Sequence, residues 1–396
     1  MQSFRQPPTD PAFVQNPYPA YEAMRAQGGI VLWDDYGMAA AASHEAVQAI
    51  LRSRDFARLP PAGHEAPPPW DALPAFRRLE EASMLSNEAP RHPVLRRSVV
   101  TAFTNARVQA MAEKIEALCH RLIDGFPDGP FDLIAAYCTP IPVTVIAEML
   151  GEPDSLAPKL LEWSHAMVRL YTQAPTDAER AAAERASEEF AAHLEASLAA
   201  KEARPDGDLA QALKAESGAG RLSADEVLGT CVLLLNAGHE ATVHAIGNAA
   251  KLMLETDDPA ALAAPEAVAA TAEEALRLDP PLHLFARHAQ RDTEVAGHTF
   301  RTGQQVACLL GAANRDPEVF DGPAAFRPGR NAKALTSFGA GVHFCLGAPL
   351  ARLEMQIALR VLFARCPGLA MAELPVYAPT YHFRGLQRLM VTQGQR

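Results

Sequence analysis

The stretch Ser337–Glu354 reads SFGAGVHFCLGAPLARLE. Within it Phe338, Gly339, Gly341, His343, Cys345 and Gly347 form the pattern F-G-x-G-x-H-x-C-x-G, ending where a helix starts. Glycines at alternate positions let a backbone bend and approach a flat ligand closely. A thiolate needs N–H donors nearby to be stable and correctly poised. Pro349 suits the first turn of the helix PLARLEMQIALRVLF, whose N-terminal dipole favours an anion beside it.

The other cysteines set this one apart. Cys119, Cys138, Cys231, Cys308 and Cys366 lie in apolar or helical-looking segments, where a free cysteine is ordinarily a small buried hydrophobe. The absence of CxxC and CxxH spacing disfavours zinc or iron–sulfur ligation from nearby pairs, and a chain of 396 residues does not need a disulfide scaffold. A single thiolate in a glycine-rich turn suits the axial position of a haem iron, because the porphyrin supplies the other four ligands. A turn with a chance cysteine would explain the residue alone; it explains the six-position pattern far less well.

The composition narrows the class. With 48% hydrophobic residues the chain can bury a substantial core, and its formal net charge of −11 disfavours a nucleic-acid partner held by phosphate neutralisation. There is no run of about 18 apolar residues, as a membrane span would need, and the N-terminus lacks the order of a signal peptide. A soluble, cytoplasmic protein without a membrane or nucleic-acid partner is expected, acting on small molecules and meeting protein partners through a local basic patch.

Apolar residues at helical spacing dominate Asn105–Phe126, Asp177–Ala203, Ser223–Glu255 and the segment after Gly347. Strand-like pieces are shorter: GIVLW from Gly29, TEVAGHTF from Thr293, QQVACLL from Gln304 and QRLMVT from Gln387. The fold class is mainly α with small β-sheets, and the lack of strand–helix alternation argues against a doubly wound or barrel fold. Leu59–Phe76 crowds prolines and reads as a long loop, and EARPDGDLA around Asp206 as a second break. Neither looks like a linker, so 1–396 is expected to be a single domain, with an α-rich core and a small β-rich N-terminal region.

From these residues the sequence resembles the cytochrome P450 family, specifically its soluble bacterial haem-thiolate monooxygenases. The resemblance runs over nearly the whole chain and implies the P450 fold, a triangular helical prism with haem between a long distal helix and the helix of the cysteine loop. It implies haem b, iron protoporphyrin IX, with Cys345 as axial ligand to the iron. Phe338 and Gly339 would lie beneath the haem and His343 near a propionate. In AEEALRLDPPLH, Glu274 and Arg277 sit three apart and share a helical face. That spacing alone is commonplace on solvated helices. By resemblance they form, with Arg330 of AAFRPGR, a network that supports the cysteine loop. His92 and Arg96, four apart in NEAPRHPVLRRSVV, match the family's H-x-x-x-R propionate ligands, and Arg287 matches a third propionate-pairing cation. His283 is a further candidate on that side.

Ser223–Glu255 opens with a capping box, Ser223 with Glu226, and contains Ala237-Gly238-His239-Glu240-Ala241-Thr242. A buried, kinked core helix would carry such a stretch too. In the family this is the distal helix, A-G-x-[D/E]-T, and Ala237, Gly238 and Glu240 match it. The usual threonine, which helps deliver protons during dioxygen activation, is replaced by Ala241. The catalytic candidates are therefore Glu240, Ala241 and Thr242, although Thr242 is about 100° further round the helix. Alanine cannot donate a hydrogen bond, so an ordered water, a substrate hydroxyl or a displaced group must work with Glu240.

The reaction so implied uses dioxygen and two electrons to hydroxylate or epoxidise a small hydrophobic or amphipathic organic substrate. The electrons would come from NAD(P)H through a separate reductase and a ferredoxin or flavodoxin, docking near Arg96 or Arg97 and Arg352. A monomer is expected. Pocket candidates are Leu235, Ala237, Ala241, Leu284, Phe285 and Phe383, each equally compatible with ordinary packing. A peroxide-driven or oxidative-coupling enzyme, and a non-catalytic haem-thiolate ligand-binding protein, are the alternatives.

Overall fold

Helix dominates, as the 3.6-residue apolar spacing predicts. The computed structural model describes residues 1–64, 70–100, 103–171, 175–205 and 207–394, so Asp206 and part of the proline-rich stretch lie outside the described residues. Asp177–Ala200 is a helix opened by a capping box between Thr176 and Glu179. The longest helix, Ala224–Leu254, runs 31 residues. It begins as expected, with Ser223 N–H donating to the Glu226 carboxylate at 2.7 Å and Glu226 N–H to Ser223 Oγ at 3.2 Å. The periodic stretch from Asn105 breaks at Met111 into Asn105–Ala110 and Ala112–Asp124. Pro74, within the expected loop, instead occupies the first turn of helix Pro74–Glu81, where its missing N–H costs nothing.

The expected single domain is organised as two compact units of interleaved segments. The first comprises 1–65, 112–138 and 241–396, the second 66–111 and 139–240. A six-stranded sheet organises the first, in the order Gln2–Phe4, Ile30–Trp33, Met38–Ala41, Gln305–Leu309, Leu284–Ala289, Phe56–Ala57. Four of its strands come from the first 57 residues and two from the later chain, and Met38–Ala41 runs parallel to Gln305–Leu309. Leu284–Ala289 pairs antiparallel with Gln305–Leu309 and puts Phe285 and Arg287, two residues apart, on one face. The expected strand TEVAGHTF is a hairpin, Thr293–Val295 against His298–Phe300, turning at Ala296 and Gly297, both at positive φ. Helix Ala348–Arg365 packs against Val268–Leu278 and Ala112–Asp124, and Tyr137 donates to Ala358 O at 2.7 Å.

In the second unit, helix Asp177–Ala200 packs along Ala157–Val168 and Pro74–Glu81. Its small residues Ala183, Ala186 and Ser187 are buried, and Phe190 stacks on Trp163 with ring centroids 5.0 Å apart.

Candidate functional site

The cysteine loop hangs from one asparagine. Asn314 Oδ1 accepts from Thr336 N–H at 2.6 Å and from the Thr336 hydroxyl at 2.9 Å, while its Nδ2 donates to Ser337 Oγ at 2.8 Å. Ser337 in turn donates to Leu276 O at 2.6 Å, tying the loop to helix Val268–Leu278. The chain then turns through Gly339 and Gly341, at φ +70° and +71°. Glycine is required here on two counts. These φ values are costly for any side chain, and a Cβ would lie 3.1 Å from the Phe285 ring at Gly339 and 2.3 Å from Leu51 O at Gly341. Cys345 N–H donates to Phe338 O at 2.9 Å and closes the loop.

Cys345 is exposed, whereas the other five cysteines are buried. Burial pushes the thiols of Cys119, Cys231 and Cys308 up to about 12, so they stay protonated. A Cβ on Gly347 would stand 3.9 Å from Cys345 Sγ, and helix Ala348–Arg365, with Pro349 in its first turn, begins beside it. The Arg352 guanidinium covers the Phe338 ring at 4.4 Å and pairs with Glu273 at 2.5 and 3.0 Å. Arg352, expected on a docking surface, keeps 30% of its side chain exposed while it pairs with Glu273.

The Glu274 network is present and fully buried at its centre. Glu274 and Arg277 are each 0% exposed, and Arg277 Nε and Nη2 each donate to the Glu274 carboxylate at 2.8 Å. Arg330 Nε and the Arg327 backbone N–H both donate to Glu274 Oε1 at 2.9 Å. Arg277 also donates to Asn314 O and Pro323 O at 2.8 Å. The chain of contacts Glu274–Arg277–Asn314–Thr336/Ser337 thus reaches the loop itself. Asn314 and Thr336 were invisible in the sequence, since a lone asparagine and a lone threonine carry no pattern.

The expected cations fall in both units. In the first, Arg287 is buried, its Nη1 donating to Ala286 O at 2.8 Å, and His343 is half-buried on the loop. In the second, helix Arg91–Val100 carries buried His92, half-buried Arg96 and exposed Arg97. His283, the further candidate on that side, lies in the first unit inside an aromatic cluster. It is 0% exposed, accepts or donates through Nδ1 to the Tyr21 hydroxyl at 2.7 Å, and is packed among Tyr18, Tyr21 and Tyr381. Burial, reinforced by Arg384, holds its pKa well below the ordinary value, so it is neutral and acts as packing.

Within the long helix, Ala237 is exposed, Gly238, Glu240 and Ala241 are half-buried, and Thr242 is buried. A Cβ on Gly238 would reach Ile146 Cδ1 at 2.8 Å, so glycine lets the two backbones come close. His239 is buried, with Nδ1 3.2 Å from Ser164 Oγ and its ring 5.3 Å from that of exposed His165. Of the pocket candidates, Leu235 and Leu284 are buried, while Phe285 and Phe383 are half-buried.

These residues fit a haem. The exposed thiol follows a loop in which Gly339 and Gly341 have no room for a Cβ against Phe285 and Leu51, and the same unit supplies the Arg287 guanidinium and the His343 imidazole as polar groups. Among the described residues, no helix is long and apolar enough to cross a membrane.

Comparison with known proteins agrees. The family model described as Cytochrome P450 matches residues 260–367. The chain is 35% identical to a protein named putative cytochrome P450 140 of Mycobacterium tuberculosis, over 97% of this chain and 91% of that one. It is 35% identical to the vitamin D(3) 25-hydroxylase of Pseudonocardia autotrophica, over 97% and 95%. Among solved structures it is similar to P450BioI in complex with an acyl carrier protein carrying a fatty acid, with TM-score 0.88, 30% identity and coverage of 97% of this chain and 100% of that one. CalO2 is similar at TM-score 0.90 and 26% identity, covering 100% and 99%.

Proposed function

The chain belongs to the cytochrome P450 family, and we propose that this monooxygenase takes two externally supplied electrons to hydroxylate or epoxidise a small hydrophobic or amphipathic organic molecule. The observation that carries the reading is the built loop of Cys345: exposed sulfur, glycines that admit no side chain, and a buried support reaching back to Glu274. When bound, haem supplies dioxygen activation and oxygen-atom transfer.

The chain's own residues do the rest. Cys345 binds the iron through its sulfur, with Phe338 and Gly339 beside it. His92, Arg96, Arg287 and His343 neutralise the two propionates, because carboxylates leaving water need cations or hydrogen-bond donors. Glu240 is the acid–base group of the long-helix segment that would pass protons on. With alanine at 241, the hydroxyl beside it comes from a water or from the substrate. Electrons arrive from NAD(P)H through a separate reductase and a ferredoxin or flavodoxin. Exposed Arg97 and half-buried Arg352, the latter paired with Glu273, are the arginines offered to such a partner. Ala241 gives the peroxide-driven alternative its one support, and product formed with hydrogen peroxide in the absence of electron donors would favour it.

The test is a carbon monoxide difference spectrum of the reduced protein. The parent should show the red-shifted carbonyl band of a thiolate-ligated haem, and Cys345→Ala should lose it together with most of the bound haem. Retention of both in the variant would overturn the reading.

A further inference from the structure

We propose that the recess at Asn236 recognises a neutral hydrogen-bond donor, a hydroxyl carried on an apolar substrate; this rests on the monooxygenase reading above. The recess lies within the second unit, between the long helix and the segments carrying Phe76, Glu80 and Met167. Its volume is about 10 Å³, room for one water-sized group and no more. Phe76, Val232 and Leu233 give it apolar walls.

Its polar chemistry is one-sided. Asn236 is 6% exposed, and its Oδ1 has no hydrogen-bond partner among the described residues. The other end of that amide makes a weak contact, Nδ2 donating to Met167 Sδ at 3.9 Å. Glu80 also lines the recess, and its carboxylate accepts from the Ser86 hydroxyl at 2.9 Å and the Tyr171 hydroxyl at 2.8 Å. The recess thus offers acceptors and one buried acceptor in need of a proton donor. Glu80 already has two donors, which favours a neutral O–H over an ammonium.

The backbone is arranged to keep this volume narrow. A Cβ on Gly229 would stand 2.5 Å from Leu79 O, so glycine lets the long helix lie against the end of helix Pro74–Glu81. An apolar slot with one convergent polar group is how a binding site orients a ligand that is otherwise hydrophobic. Asn236 lies four residues before Glu240, on the same face of the helix, so a hydroxyl held there would fix the substrate against the segment that bears Glu240.

The experiment compares matched probes on the haem-loaded protein by spin-state titration and, independently of haem, by calorimetry: cyclododecanol against cyclododecyl methyl ether. The parent should bind the alcohol about tenfold more tightly, the worth of one buried hydrogen bond. Asn236→Leu, which keeps the branched outline of the amide but carries no polar atom, should abolish that preference while leaving ether affinity within about twofold. Asn236→Asp, which keeps an acceptor, should retain the preference. Equal affinities in the parent, as expected if a water simply fills the recess, overturn the proposal. So does a preference that survives in Asn236→Leu. Failure of the monooxygenase reading would show separately, as a missing thiolate-type carbonyl band in the parent, and would leave the calorimetric preference standing.

Discussion

In the loop 336–347 the backbone itself makes the site, whereas in the helix segment 235–242 the backbone is spent on the helix and side chains from other elements make it. Gly339 and Gly341 stand at positive φ, Asn314 engages the Thr336 amide and the Thr336 and Ser337 hydroxyls, and Cys345 is held through its own N–H. In the helix, His239 meets Ser164 and Asn236 meets Met167, partners that lie on Ala157–Val168. A ligand to a prosthetic group tolerates little positional freedom, and a hydrogen-bonded, left-handed turn removes most of it. Side-chain substitutions on a regular helix leave the backbone unchanged while altering chemistry, which suits the substrate-facing role proposed for this segment.

The comparison predicts the largest loss where the loop's support is cut. Glu274→Ala leaves Arg277 buried with its charge uncompensated and frees Arg330 and the Arg327 amide at the same point. The expected cost is about 3–5 kcal/mol, with haem content falling on purification. Denaturant unfolding and haem stoichiometry measure it. A variant that unfolds at the parent's midpoint with full haem would show that the loop holds itself.

Glu354, on the helix that follows the loop, is the exception on the loop's side and sharpens the contrast. It is 2% exposed, its Oε2 has no hydrogen-bond partner among the described residues, and burial pushes its pKa up to about 8 from 4.5. Below 4.5 the carboxyl is protonated in both folded and unfolded chains. Between 4.5 and about 8 the folded chain keeps a proton that the unfolded chain has lost, so stability falls as pH rises through that window and levels off above it. Glu354→Gln removes the slope. Its advantage over the parent should grow from near zero at the acid end to on the order of 5 kcal/mol at the alkaline end, at about 1.4 kcal/mol per pH unit. Thermal unfolding of both proteins across the window reads it, and a constant difference would mean that the carboxyl is not buried in solution.

How much of this was legible in the sequence follows the same division. F-G-x-G-x-H-x-C-x-G is contiguous, so the loop and its sulfur could be read directly. Glu274 and Arg277 were equally visible because helical spacing places them together. Asn314 and Thr336 were not, for each works through a partner about twenty residues away or more. The strand Met38–Ala41 looks like helix by composition, and becomes strand because burial between neighbouring strands suits alanine as well as helix does. The tyrosines round His283, at 18, 21 and 381, lie far from it in sequence, so no contiguous motif shows that cluster. The Asn236 recess joins side chains at 76, 80, 167 and 236, a separation no local pattern records.

The smallest effect is also the most direct trial of the contrast, since it makes one substitution in both places. Gly341→Ala forces a side chain into a left-handed conformation and against Leu51 O at 2.3 Å, a backbone atom that cannot step aside. It should destabilise by about 1–3 kcal/mol and reduce haem retention. Gly238→Ala instead meets the far end of a flexible side chain, Ile146 Cδ1 at 2.8 Å, and gains about 1 kcal/mol of helix propensity. The two terms offset, so its stability should stay within about 1 kcal/mol of the parent, with haem content unchanged. If the two variants lose stability equally in denaturant titrations, the helix backbone is as constrained as the loop, and the division between a site made by backbone and one made by side chains does not hold.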